Sequence, residues 1–188
     1  MEEIRQLIYN QHDIACNQKY GDNLPYSFHL KAVESQGEKF IHLVDNILVI
    51  NPDNVYSKSF PFLEAVRISL CAHDIIEDGR FTYNDVKTLI TKKFNNHIAG
   101  EVVANIVYCV TDEKGKDRGE RKNKKYYQEL KENKLAVFIK LADISANTLY
   151  SKLTGSSMYE KYKKEFPAFK EKVYVEEYKE FFDYVENL

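Results

Sequence analysis

The stretch Phe62-Leu63-Glu64-Ala65-Val66-Arg67-Ile68-Ser69-Leu70-Cys71-Ala72-His73-Asp74-Ile75-Ile76-Glu77-Asp78-Gly79 decides the fold class. Its first eleven residues carry apolar side chains on most sides of a helical wheel, which marks a helix at the centre of a helical protein. Pro61 suits the first turn of that helix, and Gly79 is the expected stop. The end of the stretch is anomalous, because one His and three carboxylates follow an apolar run. Acids are disfavoured at a helix C-terminus, and buried carboxylates are costly unless paired or bound to metal. If the helix continues to Asp78, residues 73 and 77 share a face, as do 74 and 78. Four polar heads then converge. Two readings stay open for this segment alone: a divalent cation, or a solvated helix end whose acids meet Lys or Arg from elsewhere.

Working outward, the periodicity is helical nearly everywhere. Ile4, Leu7, Ile8, Ile14 and Ala15 fit one face of a first helix, broken by Gly21-Asp22-Asn23-Leu24-Pro25. A second helix runs from His29 through Phe40, Leu43 and Ile47, ending at Asn51-Pro52. Thr82-Tyr83-Asn84-Asp85 has the form of a capping box, and Asn95 or Asn96 can cap the following helix. Leu135 to Leu153 form a further apolar helix, and Pro167 is expected to open a C-terminal one. The aromatics Tyr174, Tyr178, Phe181, Phe182 and Tyr184 read as core packing, with a dimer face as the alternative. The expectation is an all-α helical bundle of eight or nine helices. It forms one domain over residues 1–188, with a motif-bearing core at 18–152 and C-terminal helices at 156–188 packed on it.

Composition agrees. With 44% hydrophobic and 30% charged residues, the 188-residue chain is an ordinary globular one. The 27 basic and 29 acidic side chains leave a net charge of −2, so no basic excess argues for nucleic acid. No run reaches the ~18 apolar residues of a membrane span. The start Met1-Glu2-Glu3-Ile4-Arg5 is unlike a signal peptide. Three cysteines without metal-binding spacing fit a reducing, cytoplasmic compartment.

Two further segments stand out. Lys140, Asp143 and Asn147 can line one stripe of an otherwise apolar helix. The bland reading there is an intrahelical Lys–Asp pair worth ~0.3–0.5 kcal/mol. Pro25-Tyr26-Ser27-Phe28-His29 places a His at a helix start. His42 competes with it as a ligand, but a continuous helix would put it about 140° around the axis from His29.

In order, His29, His73-Asp74 and Asp143 resemble the HD-domain metal-dependent phosphohydrolases. The local strings are closer to the hydrolase domain of Rel/Spo alarmone enzymes and their small single-domain relatives. Pro25-Tyr26-Ser27-Phe28-His29 looks like that group's Pro-Tyr-x-x-His, and His73-Asp74-Ile75-Ile76-Glu77-Asp78 like its His-Asp-x-x-Glu-Asp. Val110-Thr111-Asp112-Glu113, Glu120-Arg121-Lys122 and Lys140-Leu141-Ala142-Asp143 with Asn147 resemble its remaining strings. Thr148-Leu149-Tyr150 stands where the family carries an Arg, and a basic pair before Pro-Tyr is reduced here to Lys19-Tyr20.

The resemblance implies metal ligands at His29, His73, Asp74 and Asp143. Two imidazoles and two carboxylates suit Mn²⁺, with Fe²⁺ or Zn²⁺ as alternatives. Glu77 and Asp78 become candidates to orient and deprotonate an attacking water. Lys19, Arg121, Lys140 and Asn147 become candidate contacts to a nucleotide substrate. The implied reaction removes the 3′-pyrophosphate of a guanosine alarmone such as ppGpp. The alternatives are a phosphohydrolase of the same superfamily with another nucleotide or metabolite, and a metal-bearing nucleotide sensor without turnover.

Overall fold

The computed structural model describes residues 2–44, 62–112 and 123–188. Nine α-helices are delimited among them: α1 (Glu2–Asn10), α2 (Ser27–Lys39), α3 (Phe62–Ala72), α4 (Tyr83–Phe94), α5 (His97–Val110), α6 (Lys124–Glu132), α7 (Lys134–Thr154), α8 (Met158–Val173) and α9 (Lys179–Glu186), and residues 42–44 are helical as well. The only strands among the described residues are β1 (Lys19–Tyr20) and β2 (Leu24–Pro25), a short antiparallel pair. The protein is all-α.

The helix boundaries follow local chemistry. The Thr82 side chain accepts from the Asp85 N–H while Asp85 accepts from the Thr82 N–H, a complete capping box for α4. Asn95 turns left-handed after α4, and the Asn96 side chain caps α5. The pair α4 and α5 is therefore a tight antiparallel hairpin. Gly100 allows its closest approach. A Cβ there would lie 2.1 Å from Thr91 Oγ1 and 2.5 Å from the Lys87 carbonyl oxygen. Gly100→Ala should therefore destabilise by about 1–3 kcal/mol through overpacking, although alanine is the better helix former by ~1 kcal/mol. Urea unfolding is the check, and a more stable variant would refute the close packing.

Helix α7 is the spine of the molecule. Its residues Val137, Phe138, Ile139, Leu141 and Ala142 are buried all round, and it packs against α2, α3, α5, α6, α8 and α9. One half of the core joins α7 to the aromatic C-terminal helices through Phe166, Phe169, Tyr178, Phe181 and Phe182. The other half joins α1, α2, α3, α4 and α5. Of the C-terminal aromatics, Tyr178, Phe181 and Phe182 are thus core residues, and Tyr174 and Tyr184 pack against that core partly buried.

Four expected boundaries move. Helix α2 ends at Lys39 rather than running on to residue 47, because the Phe40 N–H turns back to the Gly37 carbonyl. Gly37 also lets α2 approach α3, where a Cβ would lie 2.4 Å from Leu70 Cδ1. Helix α3 stops at Ala72, so His73 to Asp78 lie in successive turns and not on a helix. Pro167 sits inside α8 instead of opening a helix. Buried Phe166 and Phe169 flank it, and their packing carries the helix past the lost hydrogen bond. The fourth change is at the N-terminus. A π-helical segment, Gln11–Ala15, follows α1 and shifts the register of its buried face. Ile14 is thereby 74% exposed, while His12 is fully buried; Leu7, within α1 itself, is 40% exposed.

Candidate metal centre

Four side chains from three chain-distant segments meet beside α7. His29 comes from the first turn of α2, His73 and Asp74 from the turn after α3, and Asp143 from the middle of α7. His29 Nε2 and His73 Nε2 are 3.2 Å apart. Asp74 Oδ2 is 2.9 Å from His73 Nε2 and 3.5 Å from His29 Nε2. Asp143 Oδ1 is 3.4 Å from His29 Nε2 and 3.8 Å from His73 Nε2. His29, His73 and Asp74 form a group able to hold a metal ion.

The local structure explains why the donors face one another. The end of α3 leaves carbonyls without intrahelical partners. His73 Nδ1 donates to one of them, the Leu70 carbonyl, at 3.0 Å. That bond fixes the tautomer, so the Nε2 lone pair is the one turned toward His29 and Asp74. Both imidazoles are almost fully buried. A pocket of lone pairs at this depth is chemically suited to a cation, and two nitrogens with carboxylate oxygens fit a borderline divalent ion.

The electrostatics have the same sense. Burial opposes a charge on His29, but hydrogen bonds to Asp143 and Asp74 outweigh it and raise its pKa to about 9. Burial likewise disfavours the Asp74 carboxylate, yet the neighbouring imidazoles hold its pKa well below the usual range. Asp143 is also lowered, against its burial, chiefly by Lys140 and His29. Lys140 Nζ lies 3.1 Å from Asp143 Oδ2. It is buried, and nearby Tyr126, Asp143 and Asp112 keep it charged despite desolvation. Asn147 Nδ2 donates to Asp143 Oδ1 at 2.5 Å. Lys140 and Asn147 thus both hold Asp143, and both also line the open cleft beside the cluster.

That cleft has a volume of about 230 Å³ and is lined by Tyr20, Tyr26, Glu77, Asp78 and Asp112 together with His29, Asp74 and Asp143 of the cluster. Glu77 is exposed within this concavity, and the Asp112 N–H points at its Oε2 from 3.4 Å. Its pKa is raised by partial removal from water and by Asp112 and Asp74, with Lys140 opposing. A second cavity of about 430 Å³ shares Lys140, Asp143 and Asn147 and continues between α7 and α8 along Tyr127, Tyr162, Phe166 and Phe169.

The expected residues do not all arrive. Lys19 is exposed and does not line the cleft among the described residues. Side chains alternate along a strand, so the cleft receives Tyr20 and Lys19 points away. Arg121 lies outside the described residues. His42 is 54% exposed and 3.3 Å from Glu180, remote from the cluster. The residues not singled out in advance are Tyr20, Tyr26 and Asp112. Tyr26 and Asp112 both stood within quoted strings, and Tyr20 was next to the chosen lysine.

Comparison of the chain with protein-family models, curated proteins and solved structures finds no match. Among the described residues, no helix is long and apolar enough to cross a membrane.

Proposed function

We propose that the protein is a divalent-metal-dependent phosphohydrolase of the HD type. The carrying observation is the buried imidazole pair with two carboxylates at its edge, beside a cleft lined by three further acids, Glu77, Asp78 and Asp112. His29, His73, Asp74 and Asp143 would hold the ion. An ion bound there, Mn²⁺ first among the candidates, supplies Lewis acidity toward a phosphoryl oxygen and lowers the pKa of a coordinated water.

The chain's own residues do the rest. Glu77, with its raised pKa, accepts a proton from the attacking water, and Asp78 orients that water. Lys140 fixes Asp143 and adds positive charge where phosphate charge develops. Arg121 is assigned to the phosphate by the resemblance alone.

The finer assignment, release of 3′-pyrophosphate from ppGpp, rests on the five ordered strings. The position of Lys19 outside the cleft favours a second reading, the same chemistry on another nucleotide or phosphorylated metabolite.

The test is a turnover assay with Mn²⁺. It compares ppGpp with a panel of nucleotides and sugar phosphates, with and without chelator. Chelator-sensitive pyrophosphate release from ppGpp, well above the panel, is the expected result. Preference for another phosphate ester would move the substrate and retain the chemistry. Metal binding without any turnover would overturn the hydrolase reading in favour of a sensor.

A further inference from the structure

Two tyrosines, Tyr20 at the end of β1 and Tyr26 just after β2, reach the clustered carboxylates, Tyr26 directly and Tyr20 through Asn147. Tyr26 Oη donates to Asp74 Oδ2 at 2.6 Å and lies 3.3 Å from Asp78 Oδ2. Tyr20 Oη donates to Asn147 Oδ1 at 2.8 Å, and Asn147 in turn donates to Asp143 Oδ1. The Tyr20 ring also stacks on His29, with centroids 4.7 Å apart and planes 22° from parallel. The two tyrosine rings meet edge to face at 6.3 Å. Fully buried His12 stacks behind Tyr26 at 4.9 Å and is anchored through Nδ1 to Gln18 Oε1 at 2.7 Å.

The backbone keeps this arrangement in place. Gly21 turns left-handed between the strands, at φ 55°, and a Cβ there would lie 2.0 Å from Tyr150 Oη. The turn is therefore seated directly on α7, the helix that carries Asp143 and Asn147.

A carboxylate can rotate about its terminal bond, so either oxygen can be presented to an ion. A hydrogen-bond donor on one oxygen removes that freedom. We infer that Tyr20 and Tyr26 are positioning residues. Tyr26 sets Asp74 and ties it to Asp78, and Tyr20 sets Asp143 through Asn147 while holding the His29 ring. The hairpin thereby braces ligands borne on three separate segments. This rests on the reading of the cluster as a metal centre.

The test uses Tyr26→Phe and Tyr20→Phe, which keep each ring and remove its hydroxyl. Mn²⁺ affinity is measured by calorimetry, and ligand geometry by the visible bands of the Co²⁺-loaded protein. Each variant should bind Mn²⁺ about 10- to 100-fold more weakly and show shifted Co²⁺ bands. Each metal-free variant should melt within about 4 °C of the parent. Tyr178→Phe is the control, since Tyr178 Oη is buried in the distant core without a partner among the described residues.

Equal weakening by Tyr178→Phe would reveal general loosening and overturn the inference. So would Mn²⁺ affinity within twofold of the parent, with unshifted Co²⁺ bands, in both hairpin variants. A parent that binds Mn²⁺ but hydrolyses nothing would defeat the hydrolase reading alone, and the affinity comparison would still decide. A parent that binds no divalent ion would defeat both.

Discussion

His73→Ala is expected to lose the bound metal altogether, with affinity down by well over 100-fold. Replacing a mere hydrogen-bond partner of a ligand typically costs 10–100-fold, and His73 supplies a donor nitrogen at the centre of the cluster. It lies within 3.2 Å of His29 Nε2 and 2.9 Å of Asp74 Oδ2. The substitution also removes the imidazole donor from the Leu70 carbonyl, so a stability loss of about 1–3 kcal/mol should accompany it. Metal content after gel filtration, measured beside an unfolding curve, reads both effects. His42→Ala is the matched control, because that imidazole is exposed beside Glu180. If His73→Ala retained stoichiometric metal while His42→Ala lost it, the cluster would be misassigned.

Glu77→Gln should leave metal binding within a few-fold of the parent and cut turnover by about 10²–10⁴, the usual worth of a positioned general base. That range corresponds to roughly 3–5 kcal/mol of transition-state stabilisation. The placement makes the separation possible: Glu77 lines the cleft but is not among the converging donor atoms. A base must be deprotonated to act, so activity is lost as pH falls through its pKa. Because the Glu77 pKa is raised, the acid limb of the parent's rate profile should lie above the ordinary glutamate range and vanish in the variant. Full activity of Glu77→Gln would remove Glu77 from the mechanism.

Much of the fold was legible because helices are written locally. The apolar runs of Phe62–Ala72 and Leu135–Leu153, the Thr82 capping box and the Asn96 cap each depend on residues within a turn or two of one another. The errors came where distant packing overrides that local code. Helix α8 continues through Pro167 because Phe166 and Phe169 are buried around it. Helix α1 gives way to a π turn that exposes Ile14 and buries His12, an outcome no period of 3.6 announces.

By itself, the sequence determined that the chain is helical, and it marked the His and Asp residues whose chemistry is out of keeping with their apolar surroundings. Only the tertiary structure decided which of them meet. His29 and His42 share a stretch read as one helix, yet α2 ends at Lys39 and only His29 reaches His73. Lys19 and Tyr20 are chain neighbours, yet strand alternation gives the cleft to the tyrosine. Composition and periodicity act over a few residues, whereas the convergence of lone pairs depends on where α2, α3 and α7 cross. That crossing is set by contacts such as the Leu70 side chain against the bare backbone of Gly37, which have no signature along the chain.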